Sequence, residues 1–292
     1  MTNKEKVIEV CLNVFNCHKT DIHIESIEFT GRSNRLFLVE IDDKKYTVRL
    51  PGKKSDLFID RETEVEALKI AYAKDLTSKT VYFDVKSGVK VSRYIDGTVL
   101  SQTNAMDHVD GLVNTLKTLH QDHGTIAPYQ PFSVITQLES TITLYKEPDP
   151  LYKQLKSELL KDYQSFEHEK VLIHGDFNVD NIVVSDRLEM YLLDFEYSTV
   201  YDPIYDIACL MSHSETLAVH VLEAYYQSSA KALRQKLYYY RVIQCLKWYN
   251  IATIKHVFNL GLDRTIDFNG IAQQMLQEAQ SLYKTYKELS NK

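Results

Sequence analysis

The chain lacks the features that would tie it to a membrane, a nucleic acid or an oxidising compartment. No apolar run approaches the roughly 20 residues that span a bilayer. The opening Met1-Thr2-Asn3-Lys4-Glu5-Lys6 has none of the apolar core of a signal peptide. Basic residues are dispersed and outnumbered, 34 Lys+Arg against 40 Asp+Glu for a net charge of −6, which excludes a nucleic-acid footprint. Cysteines number four, and Cys11, Cys17, Cys209 and Cys245 form no CxxC pair, so reduced core thiols are expected in place of a disulfide or metal framework. There are no internal repeats or low-complexity tracts. A cytoplasmic protein without stable membrane insertion is the expectation. Its 292 residues, 44% apolar and 25% charged, suffice for one large domain or two smaller ones.

What is present is concentrated between Val171 and Leu210. The apolar run Val171-Leu172-Ile173 delivers His174-Gly175-Asp176. Four residues separate Asp176 from Asn181, and a second apolar run, Ile182-Val183-Val184, follows. After the turn at Ser185-Asp186-Arg187, a third run from Met190 to Leu193 ends at Asp194-Phe195-Glu196. Such short apolar segments with turn residues between them predict buried strands of a hairpin, with each polar cluster at a strand end.

Phosphoryl transfer calls for this set. An aspartate orients the acceptor hydroxyl and takes its proton, and an asparagine and a second aspartate offer hard oxygen ligands to Mg²⁺. Asp176 is thus the predicted base, with Asn181 and Asp194 as metal ligands. The Asp176–Asn181 spacing equals that of the protein-kinase catalytic loop, and Asp194-Phe195 sits where that fold has its DFG aspartate. Arg49, in Tyr46-Thr47-Val48-Arg49-Leu50, stands where kinases carry a lysine for the α- and β-phosphates. A guanidinium can serve there and pair bidentately with a carboxylate.

HGDxxxxN followed by LLDFEYS, with Asp202-Pro203 and Asp206 beyond, resembles the aminoglycoside phosphotransferase and choline/ethanolamine kinase superfamily, its bacterial choline kinase branch in particular. The likeness runs from about Phe29 to Gln274. It implies an α+β, two-lobed protein-kinase-like fold. Residues 1–91 would form a nucleotide-covering lobe with an antiparallel sheet, residues 92–96 a hinge, and residues 97–292 a mostly helical catalytic and acceptor lobe. It implies ATP as co-substrate, with Ser33 and Asn34 in a phosphate-covering loop, Glu64 as the carboxylate paired with Arg49, and the main chain of Arg93 and Ile95 reading adenine. His174 and Asp206 would support the catalytic loop, while Glu196 would hold a second metal or face the acceptor. The implied acceptor is choline or a related amino alcohol, held by Tyr197 and by Trp248, the only tryptophan. Two positions depart from the choline kinase pattern: Ile251 stands in place of a second tryptophan, and His213 in place of an acidic residue. Alternatives are an aminoglycoside- or sugar-type phosphotransferase and a non-catalytic nucleotide-binding scaffold; the oligomeric state is left open.

Elsewhere, helices are predicted over residues 4–16, from about Asp56 to Lys74, along the stripe Val109 to Leu119, over Phe132 to Tyr145, Leu151 to Phe166 and Tyr205 to Ser212, and through most of Glu215 to Lys292, with breaks near Ser228-Ser229 and Gly261. Strands are predicted over Ile22 to Phe29, Leu36 to Ile41 and Tyr46 to Leu50, and in a second hairpin of Val81 to Asp84 with Val89 to Tyr94. His120 and His123 are expected as polar residues at a helix end.

Overall fold

The computed structural model describes residues 2–26, 34–123, 126–260 and 266–290. Thr2 and Glu5 cap each other's amides and start the first helix, α1, Asn3–Phe15. Its Val7 and Cys11 pack with Val39, Ile41, Tyr46, Val48, Leu50 and Val91 of the sheet that follows. That sheet holds β1 (His23–Ser26), β2 (Arg35–Ile41), β3 (Lys44–Leu50), β4 (Thr80–Phe83) and β5 (Lys90–Arg93), all antiparallel in the order β1-β2-β3-β5-β4. Asp42 and Asp43 turn β2 into β3 with φ of 50° and 57°, the left-handed pair that a two-residue hairpin requires.

Between β3 and β4 lies α2, Arg61–Ala73. It is shorter than the expected helix from Asp56. Asp60 accepts hydrogen bonds from the amides of Glu62 and Thr63 and starts the helix there, leaving Ser55–Leu57 as a single tight turn. Ala67, Leu68 and Ala71 of α2 belong to the same core as the helical remainder of the chain. The helix therefore bridges the sheet and the larger lobe.

Residues 94–97 carry the chain from β5 to β6 (Thr98–Val99). Helices α3 (Val109–His120), α4 (Pro131–Thr143) and α5 (Pro150–Asp162) follow, then β7 (Val171–Ile173), β8 (Ile182–Val184), β9 (Met190–Leu192) and β10 (Thr199–Tyr201). The last helices are α6 (Pro203–Cys209), α7 (Glu215–Tyr226), α8 (Lys231–Val257) and α9 (Phe268–Ser290). Residues Leu237 to Lys255 of α8 are buried on nearly every side, as befits a helix at the centre of a bundle. No helix among the described residues is long and apolar enough to cross a membrane.

The expected hairpin is half right. β8 and β9 pair with each other, and β6 adds to β8, but β7 pairs with β10 in a separate two-stranded ribbon. The three apolar runs look alike in sequence, and only the return of the chain through Phe195-Glu196-Tyr197 gives β7 its partner. Gly175 sits at the junction with φ 77°, where a Cβ would lie 2.0 Å from the Tyr197 carbonyl oxygen. Gly175→Ala is therefore expected to lower the unfolding free energy by at least about 2 kcal/mol. Urea denaturation followed by circular dichroism would measure it, and a loss under half that size would mean the two loops can move apart.

Candidate active site

The Ile173–Thr199 end of the β7–β10 ribbon and the end of β9 converge on one cavity of about 790 Å³, lined by residues from both lobes, among them Asn34, Arg49, Asp176, Asn181, Asp194, Tyr197 and Trp248. The loop after β7 is fixed from below by Asp206, fully buried at the start of α6. Its two carboxylate oxygens accept from the backbone amides of His174 (2.7 Å) and Gly175 (2.8 Å). The His174 ring is held 2.8 Å from the Leu193 carbonyl, and the Ser198 hydroxyl donates to the His174 carbonyl. The turn is thus tied by its backbone to α6 and by the His174 ring to the end of β9.

Asp176 projects from this loop. Asn181 donates its amide to the Asp176 carbonyl (2.9 Å) and carboxylate (3.1 Å), and Asn178 donates to the other carboxylate oxygen. Burial pushes the Asp176 carboxyl up, opposed by the charges of Lys247 and His174 and by the Asn181 hydrogen bond. Since Asn181 gives its NH₂ to Asp176, its carbonyl oxygen remains for a cation. Asp194 adopts φ 60°, a left-handed conformation uncommon for a residue with a side chain. Enclosure and the neighbouring Glu196 charge push Asp194 upward, Arg49 and Lys90 oppose them, and the 40% of its side chain that stays exposed moderates the push.

The wall opposite is a buried network of charge. Arg49 pairs bidentately with Glu64 at 2.5 and 3.0 Å, and its guanidinium also lies 3.4 Å from Asp194 and 3.2 Å from Glu196. Arg61 bridges Glu64 (2.9 Å) to Glu196 (2.8 Å), to which Asn34 also donates at 3.0 Å. Lys90, opposite Arg49 on β5, approaches Glu64 to 3.5 Å. Of the three glutamates of α2, Glu62, Glu64 and Glu66, it is Glu64 that pairs with Arg49. Burial alone would raise its carboxyl, but Lys90, Arg49 and Arg61 hold it down at about 2. Among the described residues, Glu64, Asp194 and Glu196 bring carboxylate oxygens within 4.8 Å of one another. Glu64 and Glu196 are already neutralised by guanidinium groups, so Asp194 and Asn181 are the donors whose hard oxygens fit a magnesium ion.

Other expected positions fall as follows. Ser33 lies outside the described residues. Ile95 lines the cavity. Arg93 lines it too, yet its amide donates to Lys79 and its carbonyl accepts from Ser78, while its guanidinium stacks over the Tyr46 ring at 4.7 Å. Tyr197 and Trp248 meet edge to face at 5.4 Å. Ile251 and His213 line the cavity. His120 is the last residue of α3, as expected, and it is buried there, 3.2 Å from Asp206 and 3.0 Å from the Tyr225 hydroxyl. Lys90, Arg61 and Lys247 escaped the sequence reading. Only the β3–β5 register reveals Lys90, and Arg61 announces itself only as a cation one turn before Glu64.

A model described as the phosphotransferase enzyme family matches residues 25–240. The chain belongs to this family. Protein LicA of Haemophilus influenzae is 26% identical over 278 residues, covering 85% of this chain and 81% of that one. The structure of choline kinase LicA from Streptococcus pneumoniae superimposes with a TM-score of 0.78 at 22% identity, over 96% of this chain and all of that one. A structure of LicA in complex with AMP matches equally, over 97% of this chain. The α+β, two-lobed architecture expected from the sequence is the one these structures share.

The phosphotransferase should respond to acid through Glu64. Because folding lowers this carboxyl from 4.5 to about 2, its contribution to stability is complete above the unfolded value and disappears as pH falls through that window. Glu64→Gln, which leaves buried cations short of a partner, is expected to cost about 3 kcal/mol at pH 7. The gap from the parent protein should narrow below pH 4.5 in urea titrations; a gap constant to pH 3 would show that the glutamate charge is not what matters.

Proposed function

We propose that the protein is an ATP-dependent kinase that phosphorylates a hydroxyl of a small molecule, producing a phosphomonoester and ADP. The observation that carries this reading is the convergence of Asp176, Asn181 and Asp194 on one cavity, facing the Arg49–Glu64 pair. Residues 1–91 would cover the nucleotide, 92–96 act as hinge, and 97–292 carry the catalytic loop and acceptor pocket. The AMP complex of LicA supports ATP as the donor.

Arg49 and Lys90 face the phosphates as two cations in the same wall. Glu64 and Arg61 hold Arg49 in place and keep it from folding onto Asp194 alone. Ile95 would read the adenine edge, since the Arg93 main chain is already engaged. Asp176 accepts the hydroxyl hydrogen of the alcohol and aligns its oxygen with the γ-phosphate. A carboxyl raised by burial is a better proton acceptor than an ordinary aspartate, late in the transfer when the oxygen becomes acidic. Asn178 and Asn181 fix the carboxylate for that task. Magnesium, bound by Asp194 and Asn181, would neutralise charge on the transferring group. Glu196 would serve as the counter-charge that anchors Arg61 and Asn34. The acceptor expected from the resemblance, choline or a related amino alcohol, draws support from the LicA relatives alone.

The test is ADP release with ATP and Mg²⁺ against a panel of choline, ethanolamine, other amino alcohols, aminoglycosides and sugars. Asp176→Asn should lower kcat by ~10²–10⁴ for whichever acceptor works, with nucleotide affinity retained. Asp194→Ala should instead raise the magnesium requirement. Nucleotide binding without turnover on any acceptor, unchanged by Asp176→Asn, would favour a scaffold.

A further inference from the structure

The Tyr197–Trp248 corner is where an acceptor cation would sit against ring faces, and it already holds one. Lys247, on α8 and only 4% exposed, places its ammonium 4.6 Å from the Tyr197 ring centre, 5.2 Å from Trp248 and 5.8 Å from Tyr205. Three aromatic rings around one ammonium are the arrangement that recognises quaternary ammonium ligands. Burial lowers the affinity of Lys247 for its proton, and the Asp176 charge is the largest influence restoring it.

The surrounding charges agree. Arg241 and Lys255, both buried, line the same cavity. Arg241 is matched by Glu278 at 2.7 Å, and Asp176 faces Lys247. Two of these cations, Arg241 and Lys247, thus have a carboxylate answering them within the protein. A quaternary ammonium entering here would meet Lys247 on the rings it needs, in a site of low polarisability where like charges repel strongly. An anionic acceptor would find Arg241 already paired. A neutral hydroxyl compound meets neither penalty and can hydrogen-bond to the polar groups along the wall.

We propose that Lys247 is the specificity-determining residue of the acceptor pocket: its ammonium takes the cation seat between Tyr197 and Trp248, so the acceptor is a neutral hydroxyl compound rather than a quaternary ammonium alcohol. The substrate class rests on the kinase reading above; the occupancy of the cation seat does not.

Trp248, as the only tryptophan, makes the seat visible by fluorescence. Tetramethylammonium titrated into the full-length protein should leave Trp248 emission unchanged to millimolar concentrations. Lys247→Leu should bind it at least about tenfold tighter, while Lys247→Arg, which keeps the cation, should stay silent. Binding by the parent protein as tight as by Lys247→Leu would overturn the assignment. If Lys247→Leu does not melt cooperatively, the parent protein decides alone through ADP release with ATP and Mg²⁺. Turnover with glycerol, sorbitol or ribose exceeding that with choline by about tenfold or more in kcat/KM supports the proposal, and the reverse order defeats it. Absence of turnover with every acceptor would count against the kinase reading, leaving the fluorescence result to judge Lys247.

Discussion

The arrangement depends on keeping four charged side chains out of water. Arg49, Glu64, Arg61 and Glu196 are each no more than 8% exposed. Buried charges persist only when their partners are in place with good geometry, since isolated ones cost several kcal/mol each. The partners come from β3, from α2 and from the turn after β9, whose Glu196 lies 135 residues beyond Arg61. No two of these elements can be correct without the third. The network therefore acts as a registry device, joining sheet to helical lobe at the wall of the cavity and holding Arg49, with one further cation, Lys90, beside Glu64.

A second constraint works on the opposite wall by hydrogen bonds to backbone. Asp206 receives two consecutive amides, and Gly175 lets the chain approach Tyr197 more closely than any side chain would permit. Asp176 and Asn181 inherit their positions from this turn. Strained or left-handed residues such as Asp194 persist only where the surroundings over-determine them, and here the β9 end and the guanidinium of Arg49 do so.

Much of this was legible in the sequence because it is local. The runs from Val171 to Leu193 announce strands by length and apolarity, and the helices announce themselves by period. The triad of Asp176, Asn181 and Asp194 follows from strand ends. Long-range pairing was not legible. β7 could not be assigned to β10 from periodicity, because three similar runs leave the partner open and a three-residue strand carries almost no register information. The choice of Glu64 among three glutamates came from family resemblance, and burial agrees with it. His120 reads as a helix-end residue and is one, but its buried contact with Asp206 is not legible because that partner lies 86 positions away. Lys90 and Lys247 were missed for one reason: a lysine in an amphipathic element reads as solvent-facing, and only tertiary packing reveals that its ammonium is enclosed.

On the reading proposed for it, Lys247 sets the chemistry of an aromatic pocket from a position outside the motif. The aromatic pair at Tyr197 and Trp248 supplies flat, electron-rich faces whatever is placed against them. What those faces select depends on whether a cation is already present. If the protein provides it, the faces are saturated and become a fixed, dry wall that orients Asp176 through the ammonium. If the protein does not, a ligand must bring it. Ile251, packed with Leu138, Ile142 and Ile254, fits the first case: where no ligand cation has to be enclosed, a further ring has no charge to face and an aliphatic side chain packs better. The isoleucine that stands in place of a second tryptophan then goes together with the lysine beside Trp248.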